Sequence, residues 1–324
     1  MKQTINLTKD KIVITGGTGF LGTHLVEALK KDKVNGKARE GALGQKAKNI
    51  TILSSKDYDL RKANDCKKAF EGADIVIHLA ANVGGIGYNQ EHPAELFYDN
   101  ILMGVNTLHE AYLAGVKKYV GIGTICAYPK YTPIPFQEDD LWNGYPEETN
   151  APYGLAKKML LVQSQAYRAQ YNFNAIYLLP TNLYGPGDKF DPKVSHVIPA
   201  LIKKFIDAKR DNKKEVVVWG TGTPTREFLY VKDAAVGIVK ATKLYNRDKP
   251  VNLGSQLEIS ISELAHLIGD LVGFKGQITF DVTKPDGQPR RKINTSRAEK
   301  EFGFKSKTNF EKGLKETINW YINF

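Results

Sequence analysis

Tyr153 and Lys157 stand one helical turn apart in the stretch Ala151-Pro152-Tyr153-Gly154-Leu155-Ala156-Lys157. Asn150 before them suits a helix N-cap, Pro152 fits a first turn, and a helical run follows to about Gln170. Side chains at i and i+4 share a helix face, so the phenol and the ammonium project together. A phenol ordinarily titrates near pH ~10, and a nearby ammonium favours its anion. Such a pair is able to pass a proton to or from a carbonyl or an alcohol. An ordinary helix surface also shows Tyr-x-x-x-Lys by chance, so the meaning of the pair depends on what positions it.

The positioning elements begin at the N-terminus. Lys11 to Thr15 reads as a short buried strand, and Gly16-Gly17-Thr18-Gly19-Phe20-Leu21-Gly22 follows at once. A helical stripe of Leu21, Leu25, Val26 and Leu29 comes next. Strand, glycine turn and helix are the setting of a dinucleotide fingerprint. Gly16 and Gly19 let a pyrophosphate approach the helix N-terminus, and Gly22 lets helix and strand pack closely. Asp32 to Lys48 reads as a basic, solvated loop, and Asn49 to Leu53 as the second strand. A carboxylate at the end of that strand would select NAD. Ser54, Ser55 and Lys56 stand there instead, which favours the 2′-phosphate of NADP, while neighbouring Asp57 keeps NAD open and an ordinary turn is the plainer reading.

Asp59-Leu60 opens a short helical segment to Phe70, and Asp74 to Leu79 is the third strand, with small Ala80 and Ala81 after it. Glu91 to Leu113 reads as a long helix, Lys118 to Ile122 as the fourth strand and Tyr171 to Leu179 as the fifth. Strands alternating with helices imply a parallel sheet with ligands at its carboxyl end, where Thr124 and Cys126 sit. After Pro180 the rhythm changes. Helices are expected over His196–Lys209, Lys232–Leu244, Ser260–Val272, Arg297–Phe302 and Phe310–Tyr321, and strands over Val216–Trp219, Glu227–Tyr230, Val251–Leu253 and Ile278–Val282. The expected fold is α/β: a Rossmann-type doubly wound parallel sheet with a smaller, interleaved C-terminal α/β substrate domain. Residues 1–182 plus 226–254 form the first part, and 183–225 with 255–324 the second.

The chain has 324 residues, 42% hydrophobic and 25% charged, an ordinary globular balance with enough length for a full core. It shows no apolar run of membrane-spanning length and no signal-peptide pattern, so a cytoplasmic protein with no membrane partner is expected. Cys66 and Cys126 are too few for a disulfide scaffold, and no residue cluster has metal-ligand spacing. The net charge of +11 raises the question of nucleic acid. The lysines are scattered, however, and no nucleic-acid-binding signature is present, so an anionic small substrate accounts for the charge.

Taken together, the glycine turn, a Thr at the fourth strand's end and the Tyr-x-x-x-Lys helix resemble the extended short-chain dehydrogenase/reductase family. Longer stretches are similar to its NADPH-dependent 3,5-epimerase-4-reductases of GDP-4-keto-6-deoxy-mannose. They are Val83–Ile86, Cys126–Pro129, Pro180–Pro192, Ser195–Leu201 and Val216–Val231. The resemblance implies that Tyr153 protonates the C4 oxygen while NADPH reduces that carbon, with Lys157 on the nicotinamide ribose and Thr124 on the same oxygen. It implies that Cys126 and His196 form the acid/base pair at C3 and C5, although alone a Cys after a strand is often core and such a His often caps a helix. Cofactor contacts are implied for Gly16, Gly19, Phe20, Leu21, Gly22, Ser54, Ser55, Lys56, Asp59, Leu60, Leu79, Ala80, Ala81, Lys157, Pro180, Asn182, Leu183 and His196.

Substrate contacts are implied for Thr124, Asn182, Lys204, Trp219, Arg226 and Arg291, the guanidinium of Arg226 suiting a diphosphate; for Trp219, packing under the lid is the alternative. A homodimer built on the 91–113 and Tyr153 helices is implied as well. The family usually has Ser at Thr124, a second Ser at Ile125, Lys at Asn82 and Arg at Lys204, which leaves the sugar open. Alternatives are a related GDP- or other NDP-4-keto-deoxy sugar, such as the precursor of GDP-L-colitose, a UDP-sugar 4-epimerase, and a non-catalytic NADP-binding sensor.

Overall fold

The computed structural model describes residues 4–31, 49–192, 194–284 and 286–323. The basic loop expected over Asp32–Lys48 lies outside the described residues. The first part of the chain alternates β1 (Ile12–Thr15), α1 (Phe20–Lys31), β2 (Ile50–Ile52), α2 (Ala63–Ala69), β3 (Ile75–His78), α3 (Ile86–Glu91), α4 (Pro93–Leu113), β4 (Lys118–Ile122), α5 (Ala151–Tyr171) and β5 (Ala175–Pro180). Then come β6 (Asn182–Tyr184), α6 (Val197–Arg210), β7 (Glu215–Trp219), β8 (Thr225–Tyr230), α7 (Val231–Leu244) and β9 (Val251–Leu253). The chain closes with β10 (Glu258–Ser260), α8 (Ile261–Val272), β11 (Gln277–Asp281), β12 (Arg290–Arg291), α9 (Ser296–Phe302) and α10 (Phe310–Asn323).

Six parallel strands in the order β2-β1-β3-β4-β5-β9 make the main sheet. Strands β1, β3, β4 and β5 are buried along their whole length. Helices cover both faces of such a sheet, which explains their unbroken apolar runs. One face packs Ile14 and Ile77 against Leu25 and Val26 of α1 and Ile238 of α7. The other packs Val76 and Tyr119 against Leu108 of α4 and Leu160 of α5. This is the doubly wound arrangement expected from the sequence.

A second core gathers Ile198, Ile202 and Phe205 of α6, Val216 and Val218 of β7, Phe228 of β8, and Leu264 and Ile268 of α8. Here β8 is the hub. It pairs in parallel with β6 and β12 and antiparallel with β10, while β7 pairs in parallel with β11. Strand β9 returns from this part of the chain to complete the main sheet.

Three departures from the sequence reading are larger than a residue or two at an element's end. The fifth strand begins at Ala175 rather than Tyr171, because α5 runs on to Tyr171 and Asn172 ends it in the left-handed conformation, φ 54°. The segment after Asp59 becomes helical only at Ala63, since the Asp59 carboxylate is taken up by the side chain of Arg61 at 2.9 Å. Helix α3 was not expected; it closes at His92 just before Pro93 opens α4.

Candidate active site

Thr124 leaves β4 at its carboxyl end and caps the short turn Ile125–Ala127, its hydroxyl accepting from the Cys126 N–H at 3.2 Å. Helix α5 lies directly against this turn. A Cβ at Gly154 would sit 2.3 Å from the Cys126 carbonyl oxygen, so only glycine permits the approach. Tyr153 is thereby carried beside Thr124. Burial pushes that phenol well up, nearby Cys126 adds to the rise, and Thr124 works against it. The expected acidification by Lys157 is therefore not what prevails: desolvation of a fully enclosed ring wins, and Tyr153 rests as a neutral proton donor. Lys157 is buried beside it on the same helix, and burial lowers its ammonium to about 8. Its backbone carbonyl accepts from the Tyr177 hydroxyl at 2.7 Å, which ties α5 to β5.

Cys126 lies half-buried between two side chains. Its thiol points to Asn150 Oδ1 at 3.8 Å, and Arg291 Nη1 approaches its sulfur at 3.9 Å. Arg291 on β12 is in register with Arg226 on β8. Arg226 donates to the carbonyls of Thr225 at 2.8 Å and Asp286 at 3.3 Å. Burial, then the neighbouring Arg291 charge, lowers Arg226 to about 10. Two neighbouring guanidinium groups suit this wall to an anion such as a diphosphate.

His196 stands at the N-cap of α6 without capping it through its side chain. The residue is surface-accessible yet crowded by protein, and that desolvation, followed by the Lys189 charge, lowers its imidazole below the ordinary value. The loop before α3 lies against the segment that leads into His196, where Gly85 N donates to Val194 O at 3.1 Å. A Cβ on Gly85 would meet the Ser195 carbonyl oxygen at 2.5 Å.

The glycine turn has the shape a dinucleotide needs. Gly16 has φ 68°, and a Cβ there would lie 2.8 Å from the Ala80 nitrogen. At Gly22 a Cβ would lie 2.2 Å from the Gly16 carbonyl oxygen. The backbone of Phe20 and Leu21 opens α1 beside this cradle. Leu79, Ala80 and Ala81 follow β3, with Ala80 N donating to Thr15 Oγ1 at 3.1 Å. Pro180 ends β5, and Asn182 and Leu183 lie on β6, the Asn182 amide donating to Glu227 O at 2.9 Å. Ser54 Oγ already accepts from Lys56 N at 3.1 Å, a local turn that leaves Ser55 and the Lys56 ammonium facing outward. The Asp59 carboxylate is held below the usual range by Arg61, and Leu60 is core.

Lys204 and Trp219 fall in a separate cluster on α6 and β7. Lys204 Nζ donates to Val217 O at 2.7 Å and lies 5.8 Å from the Trp219 ring centre, with Lys284 at 5.7 Å. Trp219 is 67% exposed, so it does not pack under the second part of the chain. Its strand joins Arg226 through the turn at Thr221, which donates to Asp286 Oδ1 at 2.7 Å.

Sequence reasoning passed over two polar groups at the site, Asn89 and Glu147, and read Asn150 only as a helix cap. Asn89 Nδ2 donates to Asn150 Oδ1 at 3.1 Å, and Asn150 Nδ2 donates to Glu147. No local pattern joins residues so far apart in sequence. Asn82, which stands where the resembled family usually has Lys, donates to Asp99 at 3.0 Å and accepts from the Tyr88 hydroxyl at 3.1 Å.

A nucleotide cradle, a Thr-Tyr-Lys group and a thiol at the carboxyl end of one parallel sheet define an enzyme of the dehydrogenase/epimerase class. The model of the NAD dependent epimerase/dehydratase family matches residues 12–254. The chain is 40% identical over 314 residues to the putative GDP-L-fucose synthase 2 of Arabidopsis thaliana, covering 96% of this chain and 92% of that protein. The GDP-L-fucose synthetase from Naegleria fowleri bound to NADP superposes with a TM-score of 0.85 at 32% identity, over 99% of this chain and 96% of that one. A GDP-6-OMe-4-keto-L-xylo-heptose reductase from C. jejuni gives a TM-score of 0.88 at 27% identity, over 99% of each chain. The chain belongs to the NAD dependent epimerase/dehydratase family, and within it to the group of the GDP-L-fucose synthases.

Proposed function

We infer that the protein converts GDP-4-keto-6-deoxy-mannose to GDP-L-fucose, inverting C3 and C5 and reducing C4. The observation that carries this reading is the meeting of a buried Thr124–Tyr153 proton donor and the Cys126 thiol on one short turn, faced by Arg291. NADPH, when bound, supplies the hydride for C4. Gly16, Gly19, Gly22, Leu79–Ala81, Lys157 and Asn182 would hold it, with Ser55 and Lys56 available to a 2′-phosphate. Tyr153 gives its proton to the C4 oxygen, and Thr124 hydrogen-bonds that oxygen. The C4 carbonyl neighbours both C3 and C5, so removing either proton leaves a delocalised enolate that modest bases suffice to form. Cys126 and His196 remove and return those protons. Arg226 and Arg291 bind the diphosphate, and Trp219 and Lys204 wall the nucleotide end.

A simple 4-reductase gives no reason for the thiol. A related GDP-4-keto sugar is the second reading, favoured by Asn82, whose amide is committed to Asp99 and Tyr88 and offers no cation. Incubation with GDP-4-keto-6-deoxy-mannose and NADPH decides between them. Consumption of the reduced nicotinamide with a product that co-elutes with GDP-L-fucose supports the reading, and an unaltered substrate rejects it.

The division expected at 1–182 with 226–254 against 183–225 with 255–324 splits β8 from its partner strands, so we propose 1–182 with 231–254 as the cofactor-holding part and 183–230 with 255–324 as the substrate part. The return of β9 to the main sheet and the packing of α7 with α1 support this division. No described helix is long and apolar enough to cross a membrane, and we place the protein in the cytoplasm. Exposed Phe97, Tyr98, Val105 and Leu113 of α4, with Val162 and Tyr171 of α5, support a homodimer through these helices.

A further inference from the structure

Three polar side chains outside the assigned machinery, Asn89, Asn150 and Glu147, form a chain that reaches the Cys126 thiol through Asn150, and we propose that Asn150 is a positioning residue that aims this thiol for proton exchange at the sugar ring. The inference rests on the assignment of Cys126 to that exchange. Asn150 immediately precedes α5, where an Asn side chain ordinarily accepts from an N–H of the first turn; it makes no such contact. Its amide is spent on neighbours instead. The Glu147 carboxylate only accepts, so it draws Asn150 Nδ2 and turns Oδ1 the other way. That oxygen takes the Cys126 thiol at 3.8 Å and Asn89 Nδ2 at 3.1 Å. Glu147 is in turn fixed by the Thr149 hydroxyl at 2.7 Å and the Thr149 N–H at 3.2 Å.

Asn89 is 4% exposed and Asn150 8%, so water does not scramble this order. Donation runs one way, from Cys126 and Asn89 into Asn150, and from Asn150 into Glu147. Asn89 Oδ1 is left buried without a partner, an open acceptor at the end of the chain. The Asn150 carbonyl accepts from Gly154 N at 2.8 Å, so the residue that holds the thiol also anchors the turn carrying Tyr153. One short stretch thus sets the thiol and the phenol relative to each other.

The test follows deuterium entering C3 and C5 of GDP-4-keto-6-deoxy-mannose in deuterated water, with NADPH binding by fluorescence as the measure of an intact fold. Asn150→Ala is expected to slow exchange about a hundredfold in kcat, the scale of a misplaced reacting group, with KM and NADPH affinity little changed. Asn150→Asp alone sets two carboxylates face to face and loses exchange as well. Asn150→Asp combined with Glu147→Gln restores a donor–acceptor pair with an oxygen still towards Cys126, and recovers most of the rate.

Exchange at the wild-type rate in Asn150→Ala overturns the proposal. Where that variant does not fold, a folded double variant as slow as Asn150→Asp overturns it. Cys126→Ser separates the two levels. Undiminished exchange in Cys126→Ser removes the assignment of the thiol itself, whereas its loss there, beside full exchange in Asn150→Ala, removes only the positioning.

Discussion

At the residue scale, Tyr153 is governed by burial. Enclosure raises the phenol above its ordinary range, so it enters each turnover protonated, as reduction of a carbonyl requires. Tyr153→Phe is expected to lower NADPH oxidation by about 10²–10⁴-fold, the usual share of a proton donor, while deuterium still enters C3 and C5. Measuring both on one sample separates the two halves of the reaction. His196 is set the opposite way. Crowding by the surrounding protein first and the Lys189 charge second disfavour its imidazolium, which lowers the pH at which the ring takes up a proton. Lys189→Gln removes one of these influences and lets the imidazolium form more readily. The acid limb of the exchange profile is then expected to move to higher pH; a limb that stays in place argues against His196 as a base. Tyr153 and Lys157 were legible in the sequence because helix geometry fixes residues one turn apart. The Asn89–Asn150–Glu147 chain was not, because its members meet only after α3 and the turn at 147–150 have been brought together.

At the element scale, the glycine turn and the β8 hub carry the site. Gly16→Ala places a methyl against the Ala80 backbone at a left-handed φ of 68°. Weakening of NADPH binding by about tenfold or more is expected, read by fluorescence titration, because the cradle must widen by backbone movement. Around β8, Glu258 accepts from Arg290 Nε at 2.5 Å and Thr225 Oγ1 at 2.5 Å, which joins β10, β12 and β8. The Arg290 guanidinium lowers this carboxyl to about 2. A carboxylate with a depressed folded value contributes fully above its unfolded value of about 4.3 and loses that contribution as pH falls towards 2. Glu258→Gln is therefore expected to lower the denaturation midpoint at neutral pH and to shrink the difference from wild type between about pH 4 and 2. The long buried strands and amphipathic helices were plain in the sequence. Strands β6, β10 and β12 were not, since two or three residues carry no periodicity and their partner β8 lies far along the chain.

At the scale of the whole molecule, two cores share one chain, and β9 closes the sheet only after α6, β7 and β8 have been laid down elsewhere. That interleaving fixes Arg226 and Arg291 beside Cys126 without a flexible linker. It also leaves α4 and α5 with an apolar outer face. Sedimentation equilibrium is expected to give a dimer, and Val105→Glu with Val162→Glu a monomer; an unchanged mass in the double variant would place the contact elsewhere. The central claim is that one site both exchanges two ring protons and reduces the carbonyl between them. It is tested most directly by product analysis after turnover of GDP-4-keto-6-deoxy-mannose with NADPH in deuterated water. Stoichiometric NADPH loss and GDP-L-fucose carrying deuterium at both C3 and C5 are expected. NADPH consumed with no deuterium at either carbon would contradict it.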